Sequence, residues 1–332
     1  MARGAPTMAD VAKRAGVSRA LVSIVMRGAP GAGEATRQRV LRAADEIGYV
    51  PDESARRLSR GRRGGSGALG VVFAVGHAFH GDVLEALYDR RERHDLVLSG
   101  TTQSRDESEA LQTLRRERCE AALLLGGTAP SEVLAEIAAR LPLVVVLRRV
   151  EAAGVDCVLP DEAAGMAQAV DHLISLGHRR IGHVHGGEAP GAAERRRGSD
   201  EAMAGRGLAM TASVAGGLTE EDGARAADEL IARGDLPDAL TVFNDRCALG
   251  LIDALRRCGV RVPEDVSVVG FDDIRAAGYA HVGLTTIRQD AARIAELALL
   301  RATERIADPA VPARLDVVPP RLVIRATTSV AG

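Results

Sequence analysis

Tryptophan is absent from this 332-residue chain, and four Phe and three Tyr make up the rest of its large aromatic content. A binding site in such a chain has few flat rings on which to stack a ligand, so polar and aliphatic side chains must carry most of the recognition. Cysteine is also scarce: Cys119, Cys157, Cys247 and Cys258 are scattered, with no CxxC pair. That pattern excludes a disulfide framework and argues against a zinc site, leaving buried free thiols as the expectation. The histidines form no HExxH, and His183-x-His185, although placed to share one face of a strand, lacks a third ligand. Long apolar runs are missing too. Stretches such as 141–147 fall far short of the roughly twenty residues that span a bilayer. The start of the chain carries Arg3, Asp10, Lys13 and Arg14 without the apolar segment of an export signal. A cytoplasmic protein that needs no metal, cofactor or membrane is therefore expected.

Overall charge is nearly balanced, 43 Lys+Arg against 45 Asp+Glu for a net of -2, but the balance hides a division. Residues 1–63 hold 13 Lys+Arg and 6 Asp+Glu, or +7, while the remainder carries 30 against 39, or -9. A basic arm on an acidic body suits a chain in which one end alone meets nucleic acid.

The arm has helix-turn-helix grammar. Thr7 is placed to cap a short helix whose apolar side is Met8, Val11, Ala12 and Ala15, and Gly16 supplies a left-handed stop. Ser18 then caps a second helix across a sharp turn, with Leu21, Val22 and Val25 facing the first. Its outward residues are Ser18, Arg19, Ala20, Ser23, Ile24 and Arg27. Arg19 can donate twice to a guanine edge, Ala20 and Ile24 can touch thymine methyls, and Ser23 can reach a phosphate or a base. A third amphipathic helix is expected over 34–47, with Val40, Leu41, Ala44 and Ile47 inward and Gly48 closing it. Pro51 breaks that helix and Asp52 opens a short arginine-rich one, in which Leu58 is an isolated apolar residue suited to wedging between base steps in a minor groove.

The words Asp10-Val11-Ala12, Ala15-Gly16-Val17-Ser18, Val22-Ser23, Thr36-Arg37, Val40, Ile47-Gly48-Tyr49, Pro51 and Ala55-x-x-Leu58 resemble, in order and spacing, the headpiece and hinge helix of the LacI/GalR family of bacterial transcription repressors. The resemblance implies that Leu58 enters the minor groove beside its twofold mate, with Ala55 as its close-packing neighbour. The DNA-binding set it suggests is Thr7, Ser18, Arg19, Ala20, Ser23, Ile24, Arg27, Thr36, Arg37, Tyr49, Ala55, Arg56 and Leu58. Ile24 and Arg27 depart from the polar residue and the asparagine common at those positions, so base preference does not transfer.

After a Gly/Arg/Ser linker, apolar strand-like runs alternate with amphipathic helices. Gly65-x-Gly67-x-x-Gly70 matches a dinucleotide fingerprint only nominally, because its glycines precede a strand instead of following one. Strands are expected at 69–75, 96–99, 121–125, 143–147, 156–158, 181–185, 239–243 and 266–270. Helices are expected at 82–93, 107–118, 131–139, 162–176, 193–205, 220–233 and 245–258. Repeated βα units give doubly wound parallel sheets with ligands at strand C-termini, and this many strands favours two lobes around a cleft. Family words continue through Val170-x-His172-Leu173-Ile174, Gly177-His178-Arg179-Arg180-Ile181, Phe243-Asn244-Asp245, Val262-Pro263-x-Asp265 and Val269-Gly270-Phe271-Asp272-Asp273. They imply a periplasmic-binding-protein-like α/β effector domain behind the all-α DNA-binding module. The boundaries expected are 1–50 for the headpiece, 51–66 for hinge helix and linker, and 67–332 for the effector domain. Within the last, lobe 1 takes about 67–160 and 290–320, and lobe 2 about 161–289 and 321–332.

For the cleft, the resemblance points to Arg195, three residues before Gly198, and to Asp272 and Asn244 at strand ends; Asp245 is read as a helix cap. Phe79 and His80 are expected in a loop after the first strand, with Arg148, Asp161 and Gln289 as further contacts. Ser199 stands where the family commonly has an aromatic residue, and Leu147-Arg148-Arg149 where an aspartate is common. Arg148, Arg195 and several histidines leave an acidic or phosphorylated ligand open beside a neutral sugar. A symmetric homodimer on a pseudo-palindromic stretch of double-stranded DNA is expected, its affinity changed by a small sugar-like effector. An enzyme would need a nucleophile with a partner, a transport protein would lack the basic arm, and an architectural DNA protein would have no use for a cleft.

Overall fold

In the computed structural model, residues 6–26, 29–49, 67–91, 94–102 and 104–332 are described; Arg27, Ala55, Arg56 and Leu58 lie outside them. The chain divides into two units, Met1–Gly67 and Ala68–Gly332.

In the first unit, α1 (Met8–Ala15) opens on a capping box: the Asp10 carboxylate accepts the Thr7 N–H at 2.8 Å, and the Thr7 hydroxyl accepts the Asp10 N–H at 3.4 Å. Gly16, at φ 65°, turns the chain where a side chain would be strained. Ser18 Oγ accepts from Leu21 N–H at 3.2 Å and starts α2 (Arg19–Met26), and α3 (Glu34–Ile47) ends at Gly48. Val11, Ala12, Ala15, Val22, Val25, Val40, Ala43 and Ala44 form the core. Leu41, expected inward, is 45% exposed. The inward stripe runs 40, 43, 44 and 47, and at about 100° per residue Leu41 falls about 60° beyond Ala44, its nearer edge, on the helix wheel.

The second unit holds two six-stranded sheets. The first is all parallel, with β1 (Ala68–Ala74), β2 (Asp95–Thr101), β3 (Ala121–Leu125), β4 (Leu143–Val146), β5 (Val155–Pro160) and β11 (Leu315–Val318) in the order β11-β5-β4-β3-β1-β2. The second joins β6 (Ile181–His185), β7 (Ala212–Ala215), β8 (Ala239–Val242), β9 (Ser267–Asp272), β10 (Thr285–Arg288) and β12 (Arg321–Val323) in the order β12-β10-β9-β8-β6-β7, with β12 alone antiparallel. Around the first pack α4 (Ala78–Arg90), α5 (Glu107–Arg116), α6 (Ser131–Ala138) and α11 (Ala291–Ala307). Around the second pack α7 (Glu162–Ser175), α8 (Ala192–Ala204), α9 (Glu220–Arg233) and α10 (Asp245–Arg257). Each sheet has a separate core on either face, the burial that makes parallel strands read as apolar runs. The chain crosses between lobes after Pro160, after Arg288 and after Val318.

Some elements exceed the sequence expectation. β7, β11 and β12 are edge strands of three or four residues with mixed burial, too short to show a period. Helix α4 starts at Ala78, not at 82, because Phe79 and Val83 bury together one turn apart, so Phe79 and His80 sit in its first turn and not in a loop. Cys258 is exposed, whereas the other three thiols are buried.

Helices α9 and α10 meet backbone to backbone. A Cβ at Gly250 would fall 1.8 Å from Glu220 O, and one at Gly223 would fall 1.9 Å from Cys247 O. Neither neighbour is the tip of a flexible side chain, so the helices must separate to admit a methyl group. Gly250→Ala is expected to lower stability by about 2 kcal/mol or more, read as a fall in the urea midpoint at unchanged slope. An unchanged midpoint would show that the helix pair has slack.

Candidate functional site

On the first unit, α2 is held by Val22 and Val25, which leaves Ser18, Arg19 and Ala20 exposed and Ser23 and Ile24 half-buried on the outward side. Thr7 is exposed, and Thr36, Arg37 and Tyr49 are half-buried. One Arg37 guanidinium nitrogen is engaged with Ala29 O at 3.2 Å, so that residue is partly structural. Among the described residues no comparable bond holds Arg19, which is exposed in the first turn of the helix, the position from which a recognition helix reaches base edges.

In the second unit, a cavity of about 200 Å³ lies between the lobes, lined from the first by Ala74, His77, Phe79, His80, Glu107, Gly126, Gly127, Thr128 and Leu147, and from the second by Glu162, Pro190, Arg195, Leu218 and Gln289. A wider groove of about 630 Å³ shares Leu147, Glu162 and Pro190 with it and includes Arg148, Asp161 and Arg197. Across the mouth, Arg246 of α10 donates to Gly76 O of the first lobe at 2.8 Å while its guanidinium is paired with Glu220.

Arg195, on α8, is the centre of the site. Its Nε donates to Glu162 Oε2 at 2.5 Å, Nη2 to Glu162 Oε1 at 3.3 Å, and Nη1 to Phe243 O at 2.5 Å. Asp272 Oδ1 lies 3.7 Å from Nη2. The guanidinium carbon stands 4.6 Å and 3.7 Å from the centroids of the Phe243 and Phe271 rings, in cation–π range. Gln289, just past the end of β10, donates to Asp272 Oδ1 at 2.6 Å, and its own carbonyl oxygen is buried without a partner. On the opposite wall His77 and His80 stack with centroids 4.1 Å apart. His80 Nδ1 accepts the Ala74 N–H at 3.1 Å, which places its proton on Nε2. Burial lowers His80 to about 2, with His77 adding to the effect, and lowers His77 to about 4 with help from Arg195 and Arg246. Both rings are therefore neutral at pH 7.

Of the eight residues expected in the cleft, Phe79, His80, Arg195 and Gln289 line the inner cavity. Asp272 stands behind it, reached through Arg195 and Gln289. Arg148 lines the outer groove instead, with its Nη1 donating to Gly127 O at 3.1 Å and Ala129 O at 2.9 Å. Asp161 caps α7, accepting from Ala164 N–H at 3.0 Å. Neither Asn244 nor Asp245 lines the inner cavity, and the cap expected of Asp245 falls to Asn244. Asn244 Oδ1 caps α10 by accepting from Cys247 N–H at 2.8 Å, so its amide is engaged in the backbone. Asp245 is fully buried, accepting from Thr286 Oγ1 at 2.5 Å and Ile274 N–H at 2.9 Å, where it ties β10 to the end of β9. Glu107, Glu162 and His77 are residues that the sequence reading missed. Glu162 had one readable signal, since a buried arginine requires a counter-ion and Glu162 begins the helix at the first lobe crossing.

One constellation imitates catalytic geometry. His178 Nε2 lies 3.0 Å from Ser267 Oγ, and Nδ1 lies 3.5 Å from Asp238 Oδ1. Ser267 is wholly buried, and its oxygen also accepts Ser329 N–H. The trio fastens the C-terminal segment to β9 and offers no nucleophile to a substrate. Among the described residues no group of three metal-ligating side chains exists, and no helix is long and apolar enough to cross a membrane.

A basic helix-turn-helix unit ahead of two α/β lobes with a cavity between them is the build of a bacterial transcription regulator. The chain belongs to the lacI family of bacterial regulatory proteins: residues 7–52 match that family, and residues 170–328 match the periplasmic binding protein-like domain. It is 32% identical to the transcriptional repressor PurR of Photobacterium profundum, covering 96% of this chain and 97% of the relative, and 32% identical to the regulator GalR of Escherichia coli, covering 97% and 96%. Among solved structures it is similar to a LacI transcriptional regulator from a Rhodococcus species (46% identity, TM-score 0.77, 80% of this chain and 100% of that one). It is also similar to the regulator CelR in complex with cellobiose (29% identity, TM-score 0.71, 97% and 99%).

The electrostatics of the cleft make a testable statement. Burial pushes the Asp272 carboxyl up to about 7 from its ordinary 3.8, against the opposing pull of Arg195. A group whose folded pKa is raised binds its proton more tightly folded than unfolded. The stability it contributes is present below about pH 4 and is lost as pH rises through 7. Asp272→Asn removes that dependence, so the stability of the variant relative to the native chain should climb between pH 4.5 and 7 by up to about 1.4 kcal/mol per pH unit. Urea midpoints measured across that range give the comparison; parallel curves would mean that Asp272 stays ionised throughout.

Proposed function

We propose that this regulator represses transcription as a homodimer on a pseudo-palindromic operator, and that a small hydroxyl-bearing effector held between the lobes changes its operator affinity. The observation that carries the reading is the inner cavity itself, a largely apolar pocket into which both lobes place polar side chains, so that a ligand filling it contacts each and favours one relative placement of the two. In this reading residues 1–50 read the operator, 51–66 form the hinge helix and linker, and 67–332 sense the effector. Arg19 supplies direct base readout, and Ser18, Ala20, Ser23 and Ile24 border it. Leu58, with Ala55 and Arg56, is assigned to the minor groove from sequence alone. CelR, which is known in complex with cellobiose, supports a hydroxyl-rich ligand for the shared fold. Gln289 supports it independently, since its buried carbonyl oxygen lacks a donor that a ligand hydroxyl would bring. The protein works in the cytoplasm in this reading, where its DNA is.

The two halves separate by mutation. Fluorescence anisotropy on an operator selected from random duplexes should show Arg19→Ala weakening binding by about 5- to 150-fold, the value of one good base contact, with the ligand response unchanged. Arg195→Gln should do the reverse, keeping operator affinity and losing the response to any compound that shifts it. A variant that loses both, while still folded, would reject this division of labour.

A further inference from the structure

The inner cavity contains a single guanidinium, and that group is already answered. Glu162 takes the Nε and Nη2 hydrogens of Arg195, Phe243 O takes one from Nη1, and Asp272 stands 3.7 Å from Nη2. The side chains of the Arg195–Glu162 pair are each only 6% exposed. A carboxylate or phosphate entering the cavity would have to displace Glu162, leaving a buried carboxylate without its cation, or else lie beside Glu162 and Asp272. Either course is costly beside so deeply buried a pair. Arg148 does not line the inner cavity; it sits in the outer groove, with its Nη1 bonded to the carbonyl oxygens of Gly127 and Ala129. Glu162 is also held in place. A Cβ at Gly191 would come within 2.8 Å of its Oε1, so the carboxylate is seated directly against that backbone. As the first residue of α7 it stands where helix N–H groups favour an anion.

We propose that Glu162 sets the charge preference of the cleft: as the built-in counter-ion of Arg195 it excludes carboxylate- and phosphate-bearing ligands and admits neutral, hydroxyl-bearing ones. The assignment deepens the effector reading and rests on it. It also argues against the acidic or phosphorylated ligand that Arg148 and Arg195 left open in the sequence.

Inorganic phosphate is the probe that needs no knowledge of the effector. The full-length protein is unfolded thermally in increasing phosphate, with chloride keeping ionic strength constant. The native chain should show no saturable response that depends on Arg195. Glu162→Gln, which keeps a similar shape and removes the charge, should gain a saturable rise in unfolding temperature, and adding Arg195→Gln to it should abolish that rise. The Arg195 comparison removes any contribution of the basic headpiece. Equal responses from native chain and Glu162→Gln would overturn the proposal, as would a saturable native response that Arg195→Gln abolishes. That last arm needs no Glu162 variant to fold. In parallel, hexoses and their uronic acids are compared as matched pairs by their effect on operator anisotropy. Neutral members should act at concentrations at least tenfold lower on the native chain, and Glu162→Gln should narrow or invert the ratio; a native preference for the acids overturns the proposal. If no hexose acts but Glu162→Gln still gains the Arg195-dependent phosphate site, the role of Glu162 stands and the sugar-like reading of the effector fails.

Discussion

A guanidinium removed from water must be compensated, and the site is built around that requirement. Breaking a buried ion pair by deleting one partner typically costs about 3–5 kcal/mol, so Arg195 and Glu162 constrain one another and everything that touches them. Two of the four phenylalanines in the chain, Phe243 and Phe271, lie against the Arg195 guanidinium. They stand at the C-terminal ends of neighbouring strands, the edge at which parallel α/β sheets present their ligands. Asp272 follows Phe271 at φ 118°, and Asp273 follows at φ 59°. Backbone of this kind costs about 1–3 kcal/mol per residue, and it persists where surrounding bonds determine it. Here Gln289 fixes Asp272, while Arg288 and Arg325 fix Asp273.

The same residues sit where the chain passes between lobes. Glu162 begins the helix after the first crossing and Gln289 opens the second, so a ligand in the inner cavity acts on two of the three connections as well as on both walls. Arg246 and Gly76 O join the lobes at the mouth independently of those connections. In the proposed mechanism, effector affinity differs between lobe arrangements that also differ in how they present the DNA-reading units. A coupling of about 1–3 kcal/mol then changes operator affinity by roughly 5- to 150-fold. That is no more than a few hydrogen bonds made in one arrangement and lost in the other.

Much of this was legible in the sequence because its cues are local. Thr7, Gly16, Ser18 and Gly48 set the ends of the headpiece helices through caps and turns that need only nearby residues, and the apolar runs of β3, β4 and β8 are buried on both faces. What escaped depended on distant partners. The sequence does not show that α9 and α10 touch at Gly223 and Gly250, or that Arg148 is within reach of the Gly127 carbonyl. Asn244 and Asp245 illustrate the limit most clearly. Adjacent polar residues at a strand end both suit a cap and a ligand contact, and the choice between them was decided by Thr286, forty-one residues away, whose hydroxyl claims Asp245. Glu162 was hidden for the same reason, since its partner lies thirty-three residues further on.

The scarcity of aromatic rings leaves one question of recognition, namely what the flat face of a sugar-like ligand would meet. Phe243 and Phe271 are engaged with Arg195, and among the cavity walls Phe79 is the one aromatic carbocycle. The stacked pair His77–His80 adds a second flat surface. Because burial holds both rings neutral, they add no cation to the wall. The charge balance of the cavity then rests on Arg195 against Glu162, Asp272 and Glu107, whose carboxylate accepts the Thr128 and Ala129 N–H groups on the first-lobe wall. With Glu162 answering Arg195, and Asp272 pushed toward its protonated form, no net positive charge remains to attract an acid. A wall of neutral rings, a satisfied ion pair and an acceptor awaiting a donor is matched by a molecule with hydroxyl groups and no charge.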